Sequence, residues 1–288
     1  MNGAQLLHST LHNALETDPA VQVLGESLEL SPVTQGLLQA FPQRVHLLPA
    51  TDRSLVGLAI GMAFGGKRPV LELASPTSLW SMLPQLAQDA SQRSNTSEYR
   101  VPLVVRVPVA PGEALPTAAL MAIPGLIVAV PSSAEDSASL LKHALSSDGP
   151  VVILESQRFW RAQVNPDPES TRGFGEATTV ASGNAATVIA WGEGVASATT
   201  AADKARSQGV HVDVLDLGTL SPLDTEAIKH SVCKTGRPIV VNLSDDTTAN
   251  GPLLATVHTA FLHLESPPEI TNSTPQSIGE AITESVQY

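Results

Sequence analysis

The stretch DRSLVGLAIGMAFGGK, residues 52–67, decides how the chain is read. Gly57 and Gly61 lie four apart, on one face of a helix. Leu55, Val56, Leu58, Ile60, Met62 and Phe64 make it apolar nearly all round, so a buried helix is expected. Gly65-Gly66 ends it, and RPVLEL returns as a strand. Small residues at this spacing let a second backbone come close. Asp52 stands at the entrance, and two readings stay open. In one, the helix is a glycine-packed core element with Asp52 as its N-cap. In the other, it is a seam between subunits, the edge of a site, or both, with a carboxylate at its mouth.

Upstream, Leu6, Leu7, Leu11, Ala14 and Leu15 fall at helical spacing within 4–17, and Asp18-Pro19 closes that helix. VQVLGE (21–26) is expected as a short strand, SPVTQGLLQAF (31–41) as a helix opened by Ser31-Pro32, and 44–48 as a second strand. Downstream, strands are expected at 69–73, 101–109, 126–132 and 150–156, with helices at 79–91 and 134–146. The run VPLVVRVPV (101–109) is almost continuously apolar, the mark of a strand buried on both faces. SNTSEYR (94–100) reads as a polar loop, and APGEALPTAALMAIPG (110–125) as a Pro- and Ala-rich one. Residues 161–186 are polar, with prolines and glycines, and read as a surface linker. Strands at 187–194, 210–217 and 237–243 then alternate with helices at 195–208, 221–234, 253–263 and 278–286. This alternation argues an α/β fold of two parallel-sheet domains, 1–160 and 187–288, joined by the linker 161–186.

At 288 residues the chain is long enough for two such domains. Its net charge of −12, without a basic run, disfavours nucleic acid and anionic membrane surfaces as partners. The single cysteine, Cys233, has no intrachain partner and reads as a packing residue near a helix end. No apolar run reaches the roughly 18 residues of a membrane span. The first 18 residues lack the basic start and apolar core of a secretory signal, so a cytoplasmic protein is expected.

Motifs for chemistry are sparse. Gly192 and Gly194 precede a helix, but no GxGxxG and no P-loop lysine accompany them. No serine sits in a GxSxG turn. His8 and His12 are four apart on a helix, and without a third ligand they read as a surface pair; no metal site is expected. Asp245-Asp246 reads as a solvated loop. Glu26 follows a strand end, where α/β proteins place ligands, or is a turn residue bonding local backbone. Unaided, the residues lead to a two-domain α/β protein with carboxylates of interest at Glu26 and Asp52.

The order of segments carries more. VQVLGE, SPVTQGLLQAF, RVHLLPATDRSLVGLAIGMAFGGKRPVLE, VPLVVRVP, PGLIVAVPSSAEDSASLLKHAL, GPVVILES and VDVLDLGTLSPLDTEAIKHSVCKTGRPIVV resemble one family across most of 4–243. That family is the beta subunit of the thiamine-diphosphate-dependent decarboxylase of 2-oxoacid dehydrogenase complexes, of pyruvate, branched-chain or acetoin type. The resemblance implies a transketolase-like pyrimidine-binding domain followed by a transketolase C-terminal-like domain. It implies α2β2 assembly with an alpha-type subunit that supplies the diphosphate and Mg²⁺ site. It also implies that the Gly57/Gly61 helix packs against its twin, and that acyl groups pass to a lipoyl acyltransferase core.

In this family a glutamate ahead of the helix glycine bonds a ring nitrogen of the cofactor's pyrimidine and activates it. The matching position is Asp52, one methylene shorter, with Glu26 nearby as a second cofactor-binding residue. Other departures point the same way. Ser75 and Ser78 stand where the family has aromatic pocket walls, and the loop 110–125 is short and lacks histidine. Asn242-Leu243 replaces a His-Glu pair, and Ser147 replaces the aspartate of a potassium loop. Two expectations follow: an active beta-type subunit, or a degenerate one with a structural or regulatory role. A synthase using another aldehyde or keto donor stays open, and the 2-oxo acid is not specified.

Overall fold

Runs such as VVRVPV and VVILES have no polar face to offer water, so they fold as strands covered on both sides. The computed structural model describes residues 1–49, 52–96, 100–113, 115–165, 172–243 and 250–287, with the side chains of Asp52 and Thr96 outside the description. The chain divides into two units, Met1–Phe174 and Gly175–Tyr288.

The first unit contains α1 (Gly3–Thr17), β1 (Val21–Gly25), α2 (Leu37–Ala40), β2 (Val45–Leu47), α3 (Asp52–Phe64), β3 (Arg68–Glu72), α4 (Ser78–Gln85), α5 (Arg93–Thr96), β4 (Val104–Val109), α6 (Thr117–Met121), β5 (Ile127–Ala129), α7 (Ala134–Ser146) and β6 (Val151–Ser156). Its strands lie in the order β5-β6-β4-β3-β1-β2, and each of these pairings is parallel. One face carries Val23, Val70, Val104 and Ile153, packed with Leu7, Leu11 and Leu15 of α1 and Leu140 and Leu141 of α7. Alternation turns Leu24, Leu71 and Val105 to the opposite face, and α3 packs against β1 and β3. Unit one closes on its own start: Gly3 N donates to Ala162 O at 2.9 Å, and Val164 N donates to Met1 O at 3.0 Å.

The second unit holds β7 (Thr178–Ala181), β8 (Thr187–Ala190), α8 (Gly194–Ser207), β9 (Asp213–Asp216), β10 (Thr219–Ser221), α9 (Thr225–Thr235), β11 (Pro238–Asn242), α10 (Asn250–His258), β12 (Glu269–Asn272) and α11 (Pro275–Gln287). Its sheet runs β12-β11-β8-β9-β7, parallel except for the antiparallel pair β7-β9. The alanine-rich face of α8 and Ile278, Ala281 and Ile282 of α11 cover one side. On the other, Thr187 bonds Ser231 at 2.8 Å and Thr235 at 2.7 Å, which ties α9 to β8. Asp213 accepts from Ser231 Oγ at 2.6 Å and from Gly183 N at 2.8 Å, and pairs with Lys234.

Several expectations are corrected. The helix expected over 31–41 shrinks to α2, because Gly36, with φ +84°, interrupts it and regular helix begins only at Leu37. The helix at 79–91 continues to Thr96 through a π-helical stretch, Leu86–Gln92, so the loop expected from 94 begins later. The loop 110–125 contains α6. Part of the linker 161–186 is β7, an edge strand whose exposed threonines hide its pairing. The helix expected from 221 starts at Thr225, capped by Asp224. The helix expected over 253–263 spans Asn250–His258, followed by a 3-10 turn at Phe261–His263. β10 and β12 are too short to announce themselves.

Candidate functional site

The chain leaves β1 toward β2 on one side, whereas β3 is followed by β4 on the other. The crevice at the C-terminal ends of β1 and β3 is therefore a topological switch point, where open α/β sheets bind ligands. Glu26 follows β1 directly and is exposed. Leu48 N, just past β2, donates to Gly25 O at 3.0 Å, which leads the chain to the start of α3 at the same edge. Asp52 is the first residue of α3. Its side chain, like Asp245-Asp246, lies outside the described residues. Beyond it Arg53 and Ser54 are exposed and Leu55 and Val56 are buried, so Asp52 is the sole carboxylate of that turn.

The far side of the crevice is built from hydroxyls and one carboxylate. Ser75, after β3, lies 3.3 Å from Thr77 Oγ1 and donates to Glu113 Oε1 at 3.4 Å. Glu113 Oε2 accepts from Ala110 N at 2.7 Å, which folds the segment after β4 back on itself. Ser78 opens α4. These donors and acceptors suit the polar rim of a heteroaromatic amine such as a pyrimidine. Ser75 and Ser78 offer hydroxyls and no ring face here. The fit to a pyrimidine is one of hydrogen bonding rather than stacking. Among the described residues, no group of three or more His, Cys, Asp or Glu side chains is placed to hold a metal ion.

Directly beneath the edge lies a cluster that the sequence reading missed. Glu72 on β3, Arg106 on β4 and Glu155 on β6 sit side by side, each no more than 3% exposed. Arg106 Nη1 donates to Glu72 Oε2 at 2.6 Å, and Nη2 to Glu155 Oε1 at 3.0 Å. Trp160 Nε1 donates to the same Glu155 oxygen at 2.5 Å, and Ser31 Oγ lies 3.1 Å from Glu72 Oε1. Burial pushes the Glu72 carboxyl above its ordinary range; Glu155 adds to this, while Arg106 and the hydrogen bonds oppose it. Burial alone would lower the Arg106 guanidinium, but the two carboxylates outweigh it and raise it. The available signal was a charged residue inside each of three apolar strand runs, RPVLEL, VVRVPV and VVILES. Adjacent buried strands carrying − + − must pair those charges.

Gly57 and Gly61 have different surroundings. A side chain at Gly57 would meet Gln85 Nε2 of α4 at 3.1 Å, so this glycine serves packing within the chain. Gly61 has nothing within 4 Å, and Leu58 and Phe64 beside it are 46% and 43% exposed. Gly57 thus serves packing within the chain, while Gly61 lies on an open face of the helix. His8 Nδ1 donates to Val33 O at 3.0 Å, and His12 lies against Phe41 and Glu16. No described helix is long and apolar enough to cross a membrane.

Comparison with known proteins places this geometry in a family. Residues 1–161 match the transketolase pyrimidine binding domain and residues 175–284 the transketolase C-terminal domain. The chain is 33% identical to the pyruvate dehydrogenase E1 component subunit beta of Acholeplasma laidlawii, over 92% of this chain and 86% of that protein. It is 32% identical to the protein of the same name in Rickettsia bellii, over 93% and 88%. Among solved structures, a split-gene transketolase described as an inactive beta4 tetramer superposes with a TM-score of 0.85 at 19% identity, over 100% of this chain and 98% of that one. A 2-oxoglutarate:ferredoxin oxidoreductase from Magnetococcus marinus superposes at 0.71 with 12% identity, over 100% and 65%; these two likenesses speak for the fold alone. The chain belongs to the transketolase-like, thiamine-diphosphate-dependent 2-oxoacid dehydrogenase family, among the pyruvate dehydrogenase E1 beta subunits.

Proposed function

We propose that this chain is the beta-type subunit of a thiamine-diphosphate-dependent 2-oxo acid dehydrogenase, carrying the pyrimidine half of a cofactor site. In this reading 1–160 form the pyrimidine-binding domain, 161–186 the link, and 187–288 the C-terminal domain. An alpha-type subunit supplies the diphosphate and Mg²⁺ half, and a lipoyl acyltransferase core receives the acyl group in the cytoplasm. The observation that carries it is the switch-point crevice of the first unit, with Glu26 on one strand end and Asp52 heading α3 at the same edge, inside the pyrimidine-binding match.

When bound, thiamine diphosphate supplies the electron sink for decarboxylation. The work of this chain is to hold and activate. Asp52 would accept a hydrogen bond from the pyrimidine ring of the cofactor, and Glu26 would orient the same end. An aspartate reaches roughly 1.5 Å less far than a glutamate. A misplacement of about 1 Å costs on the order of 100-fold in rate, so slow turnover is the expectation. Gly61, Leu58 and Phe64 offer α3 to a second copy of the chain.

Ser75 and Ser78 at the wall and a histidine-free segment around α6 support a second reading. In it the chain keeps its interfaces and has a structural or regulatory role. Titration calorimetry of thiamine diphosphate and Mg²⁺ into the chain mixed with its own alpha-type subunit separates the two. Binding that needs both chains, and that weakens in Asp52→Ala, supports the first. A stable complex that binds no more cofactor than the alpha-type subunit alone establishes the second.

A further inference from the structure

The buried cluster beneath the crevice does not balance its charges. Two carboxylates and one guanidinium leave one negative charge in a site closed to water, the least favourable place for it. Its contacts are also unequal. Glu155 meets Arg106 and Trp160, both of which only donate. Glu155 Oε2 and Arg106 Nε have no hydrogen-bond partner. Ser31 is different: its hydroxyl, 3.1 Å from Glu72 Oε1, accepts as readily as it donates.

We infer that the cluster holds one extra proton, carried on Glu72 Oε1 and donated to Ser31 Oγ, making a neutral latch between β3 and the segment that follows β1. Glu155 then keeps the single negative charge and Arg106 the single positive one. The raised affinity of Glu72 for a proton, caused first by its burial, agrees with this. Among the described residues, the charged groups acting on Glu72 are Arg106 from β4 and Glu155 from β6. Beside it β1 presents Gly25. On the covering helices, His8 of α1 turns to Val33 O and Asp136 of α7 turns to Ser132 and Arg172.

The latch holds the segment 26–36 at its middle, through Ser31. Ser31 O accepts from Gln35 N at 2.9 Å, and Thr34 Oγ1 donates to Leu28 O at 2.7 Å, so the segment moves as a piece and Glu26 rides on its start. A neutral cluster also leaves no net buried charge under an edge where an anionic 2-oxo acid would arrive. On losing the proton to solvent, Glu72 becomes a second carboxylate beside Arg106, and Ser31 must turn its hydrogen toward it. This proton state needs neither partner nor cofactor, so its test is independent of the subunit reading.

The test is urea unfolding of the full chain between pH 5 and pH 8, comparing wild type with Glu72→Gln and Glu155→Gln. A carboxyl whose folded value lies above its unfolded one stabilises fully below the unfolded value, and that stability is lost as pH rises. The unfolding constant of wild type relative to Glu72→Gln is therefore expected to rise with pH, by at most about tenfold per pH unit, until Glu72 ionises in the folded chain. Glu155→Gln is expected to flatten that slope, because Glu72 alone then balances Arg106. Parallel curves for wild type and Glu72→Gln overturn the inference, and a slope unchanged in Glu155→Gln overturns the charge balance on which it rests. If Glu72→Gln does not fold, glutamate-labelled carbon-13 NMR of wild type at pH 7 decides. One side-chain carboxyl at the protonated position supports the latch, and all at the ionised position overturns it.

Discussion

Arg106→Met is the most informative single change in this chain. It removes the one cation from between Glu72 and Glu155 while nearly conserving side-chain volume. Two charge-assisted hydrogen bonds are lost, at 2.6 and 3.0 Å, each worth about 1.5–3 kcal/mol in mutational series. Glu155 is left buried with only the Trp160 N–H for compensation. Breaking a buried pair from one side costs about 3–5 kcal/mol, and the same range applies here. For a unit of this size that corresponds to roughly 6–20 °C in Tm. The loss should be larger at pH 8 than at pH 5, where the stranded carboxylates take up protons more easily. The companion variant Glu72→Leu/Arg106→Met/Glu155→Leu removes all three charges together. It should return to within about 2 kcal/mol of wild type, because apolar residues often replace a buried ionic cluster without loss. Urea and thermal unfolding followed by circular dichroism measure both. A cost below about 1 kcal/mol for Arg106→Met, or a triple variant no better than the single one, would refute the reasoning that the charges are sealed together.

Three other outcomes follow from local geometry. Asp213→Ala should cost about 2–4 kcal/mol in urea unfolding, because its carboxylate, 2% exposed, satisfies Gly183 N–H, the Ser231 hydroxyl and Lys234 at once. Gly25→Ala would place a methyl 2.7 Å from Glu72 O and 3.0 Å from Leu28 Cδ2, and should lower stability by about 1–3 kcal/mol through overpacking at the crevice floor. Leu58→Ser/Phe64→Ser should weaken self-association about tenfold or more in sedimentation equilibrium. The stability of the isolated chain should change by no more than about 1 kcal/mol, since both side chains are solvent-facing.

Periodicity was most legible where one physical effect ruled. The α3 pattern is apolar all round and bounded by glycines, and nothing local competes with helix there. The segment 31–41 looked equally helical, yet Thr34 spends its side chain on Leu28 O, Ser31 faces Glu72, and Gly36 turns left-handed. Such side-chain bonds compete with helix, and their partners are far away in sequence. β7 carries exposed threonines at an edge, so its polarity resembled a linker. The crevice was half legible. Glu26 and Asp52 were placed at strand and helix ends by pattern, whereas the Ser75–Glu113 contact and the Glu72–Arg106–Glu155 row exist only because β3, β4 and β6 are neighbours. Neighbourhood between strands far apart in the chain is what a linear pattern withholds. The cofactor came from resemblance, because no motif within this sequence announces it.

The closure of the first unit on its own beginning bears on how the chain is made. α1 needs Ala162 and Val164 to seat its first turn, and α7 to cover Leu7, Leu11 and Leu15. On the ribosome these partners emerge some 130 to 160 residues after the helix itself, which at about 5–20 residues per second is a wait of roughly 7–30 s. During that interval the amphipathic helix shows its leucine stripe to solvent. Translation speed through the α7–β6 region, and holdase occupancy of the nascent N-terminus, should therefore govern the yield of soluble protein more than the stability of the finished fold does.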